Sequence, residues 1–236
     1  VSAWAARLER PTLEALNALA EAAGLRTASG MPVRFVPPAR SDPYYELHVH
    51  RTGCVQTRID DWHDRFNALC WLAFPRSKAR LNALHAREIP RERGRRGRLR
   101  DMLTLFDEGG AIVQCAEPEF EHLIRAFRWH ELFWVQRERV RKGLRFVVLG
   151  HAVLEKALAP WPGIACKAIF APYGGDPDAQ AAEWLDAHAQ GGTPQLLAPL
   201  PVFGYPGWLP GNDCEAFYLD ERYFRPFRRE LPARAT

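Results

Sequence analysis

A proline in the middle of the stretch DWHDRFNALCWLAFPRSKARLNALH, residues 61–85, decides how that stretch can fold. A residue before proline avoids the α region, so Phe74 must end one helix, while Pro75 suits the first turn of the next. The spacing predicts two helices, about 61–73 and 75–87, with Asp60 or Asp61 capping the first. On the first helix Trp62, Phe66, Leu69 and Ala73 share a core-facing stripe, and Cys70, Trp71, Leu72 and Phe74 extend apolar character round its second half. A helix apolar all round is buried. His63 and Asn67 stand one turn apart on its flank. On the second helix Leu81 and Leu84 face the core, and Arg76, Arg80 and Arg87 face water. Lys78, Asn82 and His85 form a third stripe between them. If the helices pack as a tight pair, the two polar stripes face one cleft.

These polar groups support two readings. In the first they line a pocket, with His63, Asp64, Lys78 and His85 as catalytic candidates and Asn67, Asn82 and His151 as ligand contacts. A histidine beside a carboxylate serves as a general base, and a desolvated lysine clamps an anion. Asp64 would orient His63 or bind a divalent metal. In the second reading His63 and Asn67 bridge backbone groups, and Lys78 and His85 are boundary residues with wet tips.

Around this pair the pattern is mixed. Residues 11–24 read as a helix, VRFV and YYELHVH as strands, DMLTLFDEGGAIVQC as a β-hairpin turning at EGG, and the segment from Pro118 as two helices or one bent one. LRFVVLG and IACKAIF read as strands, and HAVLEKALAP and DPDAQAAEWLDAHAQGG as helices. The expected fold is α+β (mixed α/β), a single domain over residues 1–236 in which the buried helix pair packs on a small mixed sheet. A Pro- and Gly-rich irregular segment, 192–236, packs across it.

Composition bounds the function. A chain of 236 residues buries roughly 70% of its unfolded surface and folds without disulfides or metal. The five cysteines are scattered with no C-x-x-C pair, which excludes zinc-ribbon and thioredoxin-type sites and suits reduced thiols in the cytoplasm. No apolar run of about 18 residues spans a membrane, and the N-terminal stretch has no signal-peptide layout. Of the 32 basic residues 28 are Arg, which with abundant Ala and Pro suggests a GC-rich bacterial genome. The net charge of +4 permits an anionic partner without demanding one. P-loop, G-x-G-x-x-G, G-x-S-x-G and EF-hand signatures are missing.

The blocks WHDRFNALCWLAFPRSKARLNALH and RGRLRDMLTLFDEGGAIV, with LGHAVLEKAL, PLPVFGYPGW and FYLDERYFRPFR, resemble a bacterial domain-of-unknown-function family over roughly residues 44–228. The resemblance implies no activity. It implies that His63, Asp64, Asn67, Lys78, Asn82, Arg100, Asp101, Asp107, Glu108, His151 and Glu155 lie in the family's motif blocks.

Further features have two readings each. His48 and His50 on a strand would share a face, as zinc ligands do, or be exposed strand positions. With His63-Asp64 and Asp101 or Asp107 they follow the order of the His-Asp metal-dependent phosphohydrolases, whose all-helical scaffold is not expected here. Asp107 and Glu108 are paired carboxylates or ordinary turn residues. His151 and Glu155 stand one helical turn apart, reaching a cleft or pairing at the surface. RERGRRGRLR, residues 91–100, is either a solvated loop or a nucleic-acid contact through Arg93, Arg95 and Arg96. Three readings follow: a pocket for a small anionic molecule, with hydrolysis as its chemistry, a nucleic-acid or protein adaptor using the Arg-rich loop, or a structural scaffold with no pocket chemistry.

Overall fold

A computed structural model describes residues 11–39, 44–92 and 95–226. The first part of the chain runs α1 (Leu13–Ala22), β1 (Arg34–Val36), α2 (Tyr45–Thr52) and β2 (Cys54–Gln56). The helix pair follows as α3 (Trp62–Ala73) and α4 (Pro75–Glu88), then α5 (Arg98–Gly109) and β3 (Gly110–Cys115). Next come α6 (Pro118–Arg125), α7 (Arg137–Gly143), β4 (Leu144–Val148) and α8 (His151–Lys156). The last elements are β5 (Ala165–Pro172), α9 (Pro177–Ala187), β6 (Ala198–Pro201) and α10 (Glu215–Tyr218). The fold is α+β, as expected. Its main sheet is mixed, in the order β4-β3-β5-β6, with β3 and β5 parallel and both edges antiparallel. A separate parallel pair, β1 and β2, stands apart from it. The outer edge of β1 is closed by Asn17, whose amide accepts from the Phe35 N–H (2.7 Å) and donates to the Phe35 carbonyl (2.9 Å), as a neighbouring strand would.

β3 is buried on both faces, which is why it reads as a continuous apolar run. Ala111 and Val113 point into a core with Phe120, Phe133, Phe146 and Tyr218, while Ile112 points the other way onto Phe106, Leu81 and Leu84. A third core gathers α1, β1 and β2. α3 lies between the second and third cores: Cys70 and Phe74 join one, and Phe66, Leu69, Trp71 and Leu72 the other. Burial from two sides explains the apolar second half of this helix. Trp62, expected on the core stripe, is 45% exposed, because the stripe overruns the core at the helix start.

Phe74 and Pro75 break the pair as predicted, and Asp61 caps α3 through the Asp64 N–H (3.2 Å). α4 has no capping side chain of its own. Its cap comes from α9: buried Asp178 accepts from the N–H groups of Arg76 (2.9 Å) and Ser77 (2.8 Å), and the Ser77 hydroxyl donates to the Asp178 carbonyl. A carboxylate on a helix N-terminus satisfies otherwise orphaned donors and complements the helix dipole.

Three expectations are corrected. YYELHVH is not a strand but the helix α2, ended by Gly53 in the left-handed region (φ 73°), with Val49 fully buried beneath it. DMLTLFDEGG is not half of a hairpin. Met102, Leu103 and Phe106, all fully buried, keep helical spacing, and α5 runs through Asp107 and Glu108 straight into β3. The Arg-rich segment is not a loop throughout, since Arg98 and Arg100 already belong to α5. The region from Pro118 is two helices, α6 and α7, separated by a π-helical turn at Glu131–Val135.

One junction brings the site together. Gly150 lies so close to the α5–β3 connection that a Cβ there would meet Gly110 N at 2.5 Å and Glu108 O at 2.6 Å. Leu149 and Gly150 both donate to the Gly110 carbonyl (3.0 and 2.9 Å). Only glycine permits this approach, and it sets His151, the first residue of α8, against Asp107 on the last turn of α5.

Candidate functional site

α2, α3, α4, α5 and α8 converge on a cleft of about 440 Å³. Its lining includes Glu46 from α2, His63 and Asn67 from α3, His85 from α4, Asp107 from α5 and His151 from α8. The two polar stripes of α3 and α4 do meet. Lys78, 4% exposed, donates to Asn67 Oδ1 (2.8 Å) and to Asp107 Oδ1, with its ammonium 5.7 Å from the centre of the Trp71 ring. Asn67 in turn donates to the Tyr45 hydroxyl (3.1 Å). Asn82, buried, donates to the Glu46 carbonyl (2.9 Å) and to Glu46 Oε2 (2.6 Å).

A second chain of contacts crosses the cleft. Glu155 Oε2 lies 3.1 Å from His63 Nδ1, and His63 Nε2 lies 3.0 Å from His151 Nε2. His151 Nδ1, buried and without a hydrogen-bond partner, is 3.8 Å from Asp107 Oδ2. With Glu155 ionised and both rings neutral, His63 Nδ1–H donates to Glu155 and His63 Nε2 accepts from His151 Nε2–H. That leaves the lone pair of His151 on Nδ1, facing Asp107. The three gaps Glu155–His63–His151–Asp107 have room for three protons, and two neutral rings supply two. In that state the chain is one proton short, at its buried end.

Charge settles the rest. Burial would raise the Asp107 carboxyl, but the Lys78 ammonium and His151 outweigh it and hold Asp107 below the usual carboxylate range. Burial pushes His151 down to about 4, against the pull of Asp107. Burial likewise pushes His85 down to about 4, again opposed by Asp107, and its Nδ1 accepts from Arg100 Nε (3.4 Å). Both rings are therefore neutral near pH 7. Glu46 moves the opposite way: burial and then Asp107 raise it, against the Asn82 bond, Lys78 and Arg100.

Several assignments change. Asp64 does not orient His63, a position Glu155 takes. Asp64 instead pairs with Arg58 at two points (2.7 and 3.0 Å) and accepts the Arg58 backbone N–H (2.8 Å), bonds that outweigh burial and hold it below its ordinary value. Glu155 does not pair with His151 along its own helix but reaches His63, 92 residues away in sequence. Asp107 is no turn residue, since it ties Lys78 to the histidine chain. Lys78 is committed to Asp107 and Asn67, and an anion clamp on it has no support. His48 and His50 lie on a helix, where two residues turn the side chains by roughly 200°, so they do not share a face. Among the described residues no three His, Cys, Asp or Glu side chains form a group that could hold a metal ion. Glu46 and Tyr45 were hidden by the strand reading of their segment. A helical reading would have placed Glu46 and His50 one turn apart, but nothing local aims Glu46 at α4.

Two arginines of the Arg-rich segment reach the same cleft. Arg96 and Arg100 line it, and Glu92 clasps the segment, accepting from Gly97 N–H (2.7 Å) and from Arg100 (2.6 Å). Arg96 also bonds the Thr104 hydroxyl and pairs with Asp101 (3.2 Å). Arg95 and Arg96 are exposed, and Arg93 lies outside the described residues. No helix among the described residues is long and apolar enough to cross a membrane.

Residues 33–228 match the family described as a protein of unknown function, DUF3025. The chain belongs to this family. The DUF3025 match takes in all five helices that build the cleft, so the site lies wholly within the family's domain. Comparison with curated proteins and with solved structures gives no match.

Proposed function

We propose that the cleft is an acid–base active site that hydrolyses a small polar molecule. The observation that carries this reading is the chain Glu155–His63–His151, which ends in an unpartnered ring nitrogen beside the Asp107–Lys78 pair. A proton released by water at the Asp107 end fills the vacancy on His151. Transfer between the facing Nε2 atoms passes it to His63, and Glu155, whose side chain is 42% exposed, returns it to solvent. Lys78 keeps Asp107 ionised so that the imidazolium formed has a counter-charge. Asn67 and Asn82 hold Lys78 and Glu46 in place, and His85 stays a neutral contact.

The test is turnover. Wild-type protein incubated with a bacterial small-molecule extract, followed by mass spectrometry, should deplete a polar component. His63→Gln should slow this about 10²–10⁴-fold, the usual worth of positioned proton transfer. Equal depletion by the two proteins, or none by wild type, contradicts the reading.

The adaptor reading on Arg93, Arg95 and Arg96 has less behind it. Arg96 is engaged by Thr104 and Asp101 and lines the cleft.

A further inference from the structure

We propose that Glu46 is the proton donor of this cleft: a neutral carboxylic acid that gives its proton to an oxygen of an uncharged ligand. The inference rests on the acid–base reading above and adds its second half. Four carboxyl groups line this cleft, Glu46, Asp64, Asp107 and Glu108, and Glu46 and Asp107 are not equivalent. Asp107 holds the buried Lys78 ammonium. Glu46, among the described residues, forms no ion pair, and the partner it has is the neutral amide of Asn82 (2.6 Å).

The nearby cations are all spoken for. Arg58 pairs with Asp64 (2.7 Å), Arg100 with Glu92 (2.6 Å) and Arg96 with Asp101 (3.2 Å). An ionised Glu46 would therefore sit beside ionised Asp107 with no cation of its own, and burial and that neighbour both raise it. The charges facing it from other elements are Lys78 on α4 and Asp107 and Arg100 on α5. Its place in the first turn of the short helix α2 favours the ionised form and opposes those two effects. When neighbouring groups are driven apart in this way, one is left as acid and the other as base.

The same pairing defines the ligand class. With each lining guanidinium already neutralised, the cleft offers hydrogen bonds and little net charge. An uncharged ester, amide or glycoside fits it better than the anion expected from the sequence. In hydrolysis of such a bond, water oxygen forms the new bond to carbon as the leaving oxygen or nitrogen departs. The proton of the water goes to the histidine chain, and the proton of Glu46 goes to the leaving atom. Solvent then reprotonates Glu46 and deprotonates the chain, so one water is consumed and nothing else.

Protein labelled with ¹³C at the glutamate carboxyl carbons tests this by NMR, with the Glu46 signal assigned through Glu46→Gln. Glu46 should titrate above an ordinary glutamate, near 4.3. Glu46→Gln, which copies the neutral acid, should leave the urea midpoint at neutral pH unchanged or higher. If Glu46→Gln does not fold, Glu46→Asp supplies the assignment. A Glu46 signal that titrates at or below the ordinary value overturns the proposal. Imidazole signals in the same sample separate the two claims. An intact histidine chain with ionised Glu46 sinks this inference alone, and uncoupled histidines sink the acid–base reading beneath it.

Discussion

Asp107→Ala is expected to cost about 3–5 kcal/mol of folding free energy, the usual effect of removing one partner of a buried ion pair. The reason is what remains. Lys78 is 4% exposed and would be left with only the Asn67 oxygen and the Trp71 ring to face. Lys78→Met alone should cost less, because Asp107 is 16% exposed and can shed its charge by taking a proton. The double variant Lys78→Met/Asp107→Leu removes both charges, so it should be more stable than Asp107→Ala. The two losses should fail to add by at least about 1 kcal/mol, as groups in contact do. Urea titrations of the four proteins at pH 7 decide this. Additive losses would mean that the pair is not coupled in solution.

Acidification should weaken the fold as pH falls below about 6.5. In the unfolded chain His85 and His151 take up protons around 6.5, while in the native cleft they do so only near 4. Between those values the unfolded state binds more protons, so stability is full above pH 6.5 and falls as pH drops towards 4. With both rings about 95% buried, each contributes on the order of 2–3 kcal/mol to that loss. Glu46 pulls the other way, since a raised carboxyl gains stability as pH falls through its native value. Urea midpoints measured from pH 7.5 down to pH 4.5 should decline steadily, and His85→Gln should flatten part of the slope. A profile level down to pH 5 in the wild type would show that the rings are not buried neutral.

The helix pair was legible because two strong local signals agree there. Pro75 cannot continue a helix, and the stripes on either side of it have helical period. The meeting of Asn67 with Lys78 follows from that geometry alone. What was hidden is equally local in cause. Tyr, Val and an alternating polar pattern favour a strand in YYELHVH, but Gly53 caps a helix there and Val49 needs a core beneath it. The glycine pair after Asp107 looks like a turn, yet it ends a helix whose buried residues Met102, Leu103 and Phe106 already spell the helical spacing. The third kind of miss has no local signal. Glu155 and His63 meet across 92 residues only because Gly150 lets α8 press onto the α5–β3 junction, and periodicity carries no such information. Asp64, adjacent to His63 in sequence, seemed the natural partner. Helix geometry turns it away towards Arg58.

The histidine chain can be tested without a substrate, by two-bond ¹H–¹⁵N correlation spectra of the ring nitrogens at about pH 7.5, assigned through His63→Gln and His151→Gln. The account predicts a proton on His63 Nδ1 and on His151 Nε2, with His151 Nδ1 bare. On acidification one proton should enter the two rings as a coupled pair, and Glu155→Gln should break that coupling. Two rings that titrate independently, or a His151 that carries its proton on Nδ1 while His63 Nδ1 is bare, would contradict the relay and with it the proposed chemistry of the cleft.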